Sequence, residues 1–122
     1  MSGPRWGFTV IAPTFLYYGR SLLYRTIDAR IWTDQKVRAL SPEIKLLFLY
    51  LITNPHSHLS GVYYLPLELM SHETGLTKRK LRWGIDTLSR SELAWFDMET
   101  QVIWVKNMLR YQGRGTKAKK AA

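Results

Sequence analysis

Hydrophobic positions along the chain recur with a helical period in three places. In "SPEIKLLFLYLITNP", Ile44, Leu47, Phe48 and Leu51 fall at i, i+3, i+4 and i+7. Leu46, Leu49, Tyr50 and Ile52 occupy the remaining sides, so the pattern predicts a central helix buried nearly all round. Ser41 supplies an N-cap, Pro42 fits the first helical position, and Asn54-Pro55 ends the run. "PLELMSHET" predicts a second helix with Leu67 and Met70 inward and Gly75 as its left-handed stop. "KRKLRWGIDTLSRS", capped by Thr77, predicts a third, whose buried stripe is Leu81, Ile85 and Leu88.

Shorter apolar runs read as strands. "GVYYLP" is β-branched and aromatic, which predicts a brief strand between the first two helices. "LAWF" and "VIWVK", joined by the polar "DMETQ", predict a β-hairpin with Trp95 and Trp104 mid-strand, placed to pair across it. "RTIDARIWTDQKVRAL" opens the readable domain, and "NMLRYQ" closes it. The apolar, aromatic and basic "GFTVIAPTFLYYGRSLLYR" has no clean period. The expected organisation is therefore an arm of unassigned structure at 1–24, a domain at 25–112, and a basic disordered tail at 113–122.

The order is helix, strand, helix, Gly-containing turn, helix, hairpin. That is the order of a winged helix-turn-helix domain, so the fold class is mainly α with a small β-hairpin, an α+β fold.

Charge changes the picture. The net charge is +9, and it is uneven: residues 1–33 carry +3, residues 34–76 carry −1, and residues 77–122 carry +7. The excess begins at the third helix and raises the expectation of an anionic partner. Five Trp and seven Tyr are a heavy aromatic load for 122 residues, and some of these rings are expected to face a partner. With no cysteine, disulfides and thiolate metal sites are excluded, which fits a cytoplasmic protein. No apolar run reaches the ~18–20 residues of a membrane span. "FTVIAPTFLYY" resembles a short signal core, but Pro13 interrupts it and no small-residue cleavage site follows. No membrane partner is expected.

Candidate chemistry is sparse. His56 and His58 form an H-x-H pair in a loop, with His72 on the second helix, and no cysteine or close carboxylate joins them as zinc would require. The His56–His58 loop reads as a hydrogen-bonding loop, and no metal or cofactor is expected. There are no suggestively paired carboxylates, no nucleophile elbow and no phosphate-binding loop, so no enzyme is expected.

The third helix carries the sharper signal. With Leu81 at the centre of the buried face, Arg79, Trp83, Asp86 and Arg90 lie opposite, Lys80 and Arg82 flank them, and Lys78 sits beside the N-terminus. A recognition helix enters the major groove by its N-terminal part. There, Arg79 and Arg82 can make bidentate bonds to guanine or phosphate, and Lys78 and Lys80 supply point charges. The bland alternative is a solvated charged face. Against it stand three cations opposing the helix macrodipole and an outward Trp83; Asp86 argues the other way. The candidate nucleic-acid-binding set is Thr77, Lys78, Arg79, Lys80, Arg82, Trp83 and Arg90, with Lys106 and Arg110 following phosphates by charge alone. In the tail, Arg114, Lys117, Lys119 and Lys120 either do the same or simply solubilise the end.

The segment "RTIDARIWTDQKVRALSPEIKLLFLYLITNPHSHLSGVYYLPLELMSHETGL", most specifically "LSPEIKLLFLYLITNPHSHLSGVYYLP", together with "VIWVKNMLRYQ", resembles the N-terminal domain of phage replisome-organiser proteins, the DnaD-like replication initiators. The resemblance covers about residues 25–112. It implies a winged helix that binds DNA or self-associates at a replication origin, in the cytoplasm of a bacterial host. In that family a separate C-terminal region contacts the helicase-loading machinery. The chain departs from the pattern in three respects. Its 122 residues leave no length for that second region, residues 1–24 have no counterpart, and Asp97 and Glu99 occupy the hairpin tip where a DNA-touching wing is basic.

The leading expectation is thus a non-catalytic protein that docks on duplex DNA through the helix at 78–90, with replication proteins or a second copy as further partners. A second expectation is a phage-encoded protein-binding winged helix that occupies a host nucleic-acid enzyme, such as a nuclease. A third is a dimeric transcriptional repressor.

Overall fold

The computed structural model describes residues 24–113, so the expected arm at 1–24 (Tyr24 apart) and the tail beyond Gly113, with Arg114, Lys117, Lys119 and Lys120, lie outside the described residues. After an extended start, a 3-10 turn spans Ala29–Thr33 and a short helix α1 spans Gln35–Arg38. Then come α2 (Pro42–Thr53), β1 (Val62–Tyr64), α3 (Leu67–Thr74), α4 (Lys78–Arg90), β2 (Ala94–Asp97), β3 (Val102–Val105) and α5 (Met108–Tyr111). The three strands form one antiparallel sheet in the order β1-β3-β2, making a mixed α+β domain.

Helix α2 is the centre of the core. Ile44, Leu47, Phe48, Leu51 and Ile52 are buried. Ser41 caps its start by accepting from the Ile44 amide at 3.4 Å, and Asn54 closes its end, donating its amide to the Tyr50 carbonyl at 2.8 Å. The expectation of burial nearly all round is corrected at Leu46, which is 45% exposed: the neighbouring helices α4 and α3 cover only part of the circumference. The Asn54 side chain also bridges into the core, donating to Tyr50 O and to the Tyr63 hydroxyl, both at 2.9 Å. Tyr63 in turn donates to Leu51 O at 2.6 Å, so the buried ring of β1 leaves no polar atom orphaned.

The segment before α2, unassigned from periodicity, is built by two capping aspartates. Asp28 accepts from the Arg30 amide at 3.0 Å, and Asp34 accepts from the Lys36 amide at 2.9 Å. The same segment ties the two ends of the domain together. The Asp28 amide donates to Tyr111 O, and the Thr26 hydroxyl donates to Gln112 O, each at 2.7 Å. The Tyr111 hydroxyl donates to the Asp34 carboxylate at 3.0 Å.

The sheet alternates as its pleat requires. Tyr63, Ile103, Ala94 and Val105 turn inward and are buried. The hairpin pairs Trp95 with Trp104, as their positions predict, with ring centroids 4.6 Å apart. One hairpin residue also serves the helices. The Gln101 side chain accepts from the Leu67 amide at 2.8 Å, capping α3, which opens on Pro66 and has no cap of its own.

Candidate nucleic-acid interface

Helix α4 is positioned by a tight turn and a close packing contact. Gly75 ends α3 in the left-handed region at φ 79°, and the Thr77 hydroxyl accepts from the Lys80 amide at 3.2 Å to start α4. The buried stripe is Leu81, Gly84 and Leu88; Ile85, expected to be inward, is only half-buried. Gly84 takes the inner place because α2 and α4 approach closely there. A Cβ on Gly84 would lie 2.8 Å from Leu47 Cδ2. The sequence signal for this was available, since a glycine inside an otherwise helical run marks a packing position.

The predicted contact residues divide into two groups. Lys78 Nζ lies 2.5 Å from the Glu68 carboxylate on α3, and Lys80 Nζ lies 2.6 Å from the Glu43 carboxylate on α2. Arg90 pairs with Asp86 one turn back at 2.8 Å. Three of the expected cations are thus engaged within the domain. The macrodipole argument loses force as a result, because carboxylates from neighbouring helices offset two of the three opposing charges. Arg79 and Arg82 differ. Both are exposed, and among the described residues neither makes an ion pair or a side-chain hydrogen bond. Trp83 beside them is 49% exposed. The outward, unengaged set is Arg79, Arg82 and Trp83.

Lys106 and Arg110 are not brought to this surface. They line a separate groove with Asp34, Lys36, Glu92 and Tyr111, in which no residue of α4 takes part. Lys106 donates its amide to Leu93 O, just past the C-terminal end of α4. At 1.5 Å per residue the 13-residue helix is about 20 Å long, so that end lies well away from its first turn. Lys106 Nζ also stands 3.9 Å from Glu92, and Arg110 lies over the Tyr111 ring at 6.0 Å. Lys36, which sequence reasoning did not single out, joins them only because α1 folds against this end of the sheet.

The hairpin tip is acidic. The Asp97 carboxylate accepts from the Thr100 hydroxyl at 2.6 Å and from the Glu99 amide at 3.3 Å. These bonds hold its carboxyl below the usual range, so it is ionised at neutral pH. Glu99 is exposed beside it. Between hairpin and helix runs a groove of about 390 Å³ lined by Arg82, Ile85, Asp86, Ser89, Trp95, Phe96 and Met98.

Two of the three histidines, His56 and His58, are engaged in hydrogen bonds. His56 Nε2 lies 3.4 Å from one oxygen of Glu73, whose other oxygen accepts from Tyr50 at 2.5 Å, and His58 Nδ1 is 2.9 Å from the Ser60 hydroxyl. Among the described residues there is no cluster of three or more metal-ligating side chains, and no helix is long and apolar enough to cross a membrane. No family model, curated protein or solved structure matches the chain.

Proposed function

We propose that the chain is a phage-type, non-catalytic DNA-binding protein with a winged helix-turn-helix fold, acting in replication initiation in the cytoplasm of a bacterial host. In this reading α3 and α4 form the helix-turn-helix and the β2–β3 hairpin is the wing. The observation that carries it is the pair of exposed guanidinium groups, Arg79 and Arg82, which have no partner among the described residues, on the N-terminal half of α4. A guanidinium fork matches guanine edges and phosphates bidentately, and the first turns of such a helix are the part that reaches the major groove. Lys78 and Lys80 contribute less, since each must leave a carboxylate to meet a phosphate. Duplex titrations by fluorescence anisotropy at several salt concentrations test the reading. Log K should fall linearly with log salt, by about 0.9 for each phosphate neutralised. Affinity independent of salt would remove the basis for phosphate contact.

A second reading is favoured by the acidic hairpin tip. An ionised Asp97 with Glu99 beside it repels a phosphate backbone, and suits a basic site on a protein that handles nucleic acid. In that case the winged helix occupies a host enzyme such as a nuclease. A stoichiometric protein retained from nuclease-treated host lysate, together with no duplex binding, would favour this reading over the first.

A further inference from the structure

The outer face of the sheet is apolar and uncovered by any described residue. Register places Val62, Trp104 and Trp95 in one row across the three strands, and Tyr64, Val102 and Asp97 in the next. Tyr64 is 62% exposed and Trp104 is 52% exposed. Tyr64 and Trp104 are diagonal neighbours on this face, within reach of aromatic side chains, and the Trp95 ring lies against Trp104, tilted by 30°. Three aromatic side chains thus share one face of the sheet.

Continuity with a cation says what kind of partner this surface takes. Trp95 also lines the groove that contains Arg82, whose guanidinium makes no ion pair among the described residues. The one carboxylate in the two rows, Asp97, sits at the corner and is turned into its own hairpin. A chain of net charge +9 gathers like charge when a second copy covers the face, whereas a polyanion relieves it. We propose that Tyr64, Trp104 and Trp95, with Arg82 beside them, form a stacking platform for the unpaired bases of single-stranded DNA. Bases lie on the rings and a phosphate meets Arg82, the combination by which single strands are held without sequence preference. The rings lie on the sheet, off the α4 surface, while Arg82 belongs to both surfaces, so variants of the rings and not of Arg82 separate this site from duplex docking.

The test uses the full chain, a labelled oligo(dT) of about twelve nucleotides, and a labelled duplex. Binding of oligo(dT) should quench tryptophan fluorescence. Tyr64→Ala and Trp104→Ala should each weaken it about fivefold or more, and Trp104→Phe should recover most of the loss. Tyr64→Ala should leave duplex affinity within about twofold, because Tyr64 lies on β1, outside both α4 and the β2–β3 hairpin. Oligo(dT) binding that is absent in the wild type, or unchanged in both alanine variants, overturns the proposal. A concentration-dependent dimer seen by sedimentation, lost in Tyr64→Ala while oligo(dT) binding is unaffected, assigns the face to a second copy and also overturns it. Circular dichroism establishes folding. If Trp104→Ala does not fold, the more exposed Tyr64 decides the outcome.

Discussion

The Lys80 ammonium sits 2.6 Å from the Glu43 carboxylate, which ties the first turn of α4 to the first turn of α2. A pair this open to solvent contributes only ~0.2–1 kcal/mol to stability, but it sets a rank order among the cations of α4. Alanine at Lys80 or Lys78 should weaken duplex binding less than alanine at Arg79 or Arg82. Glu43→Gln releases Lys80, so duplex affinity should rise and the salt slope should steepen by up to about 0.9. Anisotropy titrations of these variants check the order, and Lys80→Ala as damaging as Arg79→Ala would contradict it.

Gly61 should be the least replaceable glycine of the described residues. Its φ is +85°, and a Cβ there would lie 2.4 Å from the Val105 carbonyl oxygen, a backbone atom. The Gly61 carbonyl meanwhile accepts from the Val105 amide at 2.7 Å, so neither strand can withdraw without losing that bond. Gly61→Ala is expected to cost about 2 kcal/mol or more. Gly84→Ala is crowded only by the end of the Leu47 side chain and should cost less. Urea unfolding of the two variants gives the comparison.

Alkaline stability should follow the tyrosines. Burial pushes Tyr111 up to about 12, helped by its bond to Asp34, and also raises Tyr63 and Tyr50, the latter with help from Glu73. A raised folded-state value favours the neutral phenol in the native protein. The associated stability is complete below the ordinary value of 10.0 and is lost as pH rises through the folded values. The tyrosinate absorbance of these three residues should therefore appear together with loss of the circular dichroism signal, above pH 10. In Tyr111→Phe the transition should move to higher pH relative to that variant's own neutral stability. Ionisation of all three well before unfolding would contradict the account.

Much of this fold is legible in the sequence, for identifiable physical reasons. The caps Ser41 and Thr77, the stop at Gly75, the α2 stripe and the Trp95–Trp104 pair all rest on local chemistry, and the structure has each of them. What periodicity leaves open depends on contacts distant in sequence. Leu46 and Leu47 are adjacent leucines, and only the placement of the neighbouring helices α4 and α3 buries the second and leaves the first exposed. Gln101 reads as a turn residue until the hairpin brings it to the start of α3. For the candidate site, the outward direction of Arg79, Arg82 and Trp83 follows from helix geometry alone. The engagement of Lys78 and Lys80 does not, because Glu68 and Glu43 reach them from other helices. The separation of Lys106 and Arg110 from α4 is likewise a matter of tertiary placement.

The central claim is that Arg79 and Arg82 are the residues by which α4 meets duplex DNA. The most direct measurement is duplex affinity of the double variant Arg79→Glu/Arg82→Glu at fixed salt, with folding verified by circular dichroism. Both side chains are exposed and make no ion pair among the described residues, so the domain should stay folded. The account predicts a loss of about a hundredfold or more, as two bidentate contacts become two repulsions. An affinity within about twofold of the wild type would contradict it.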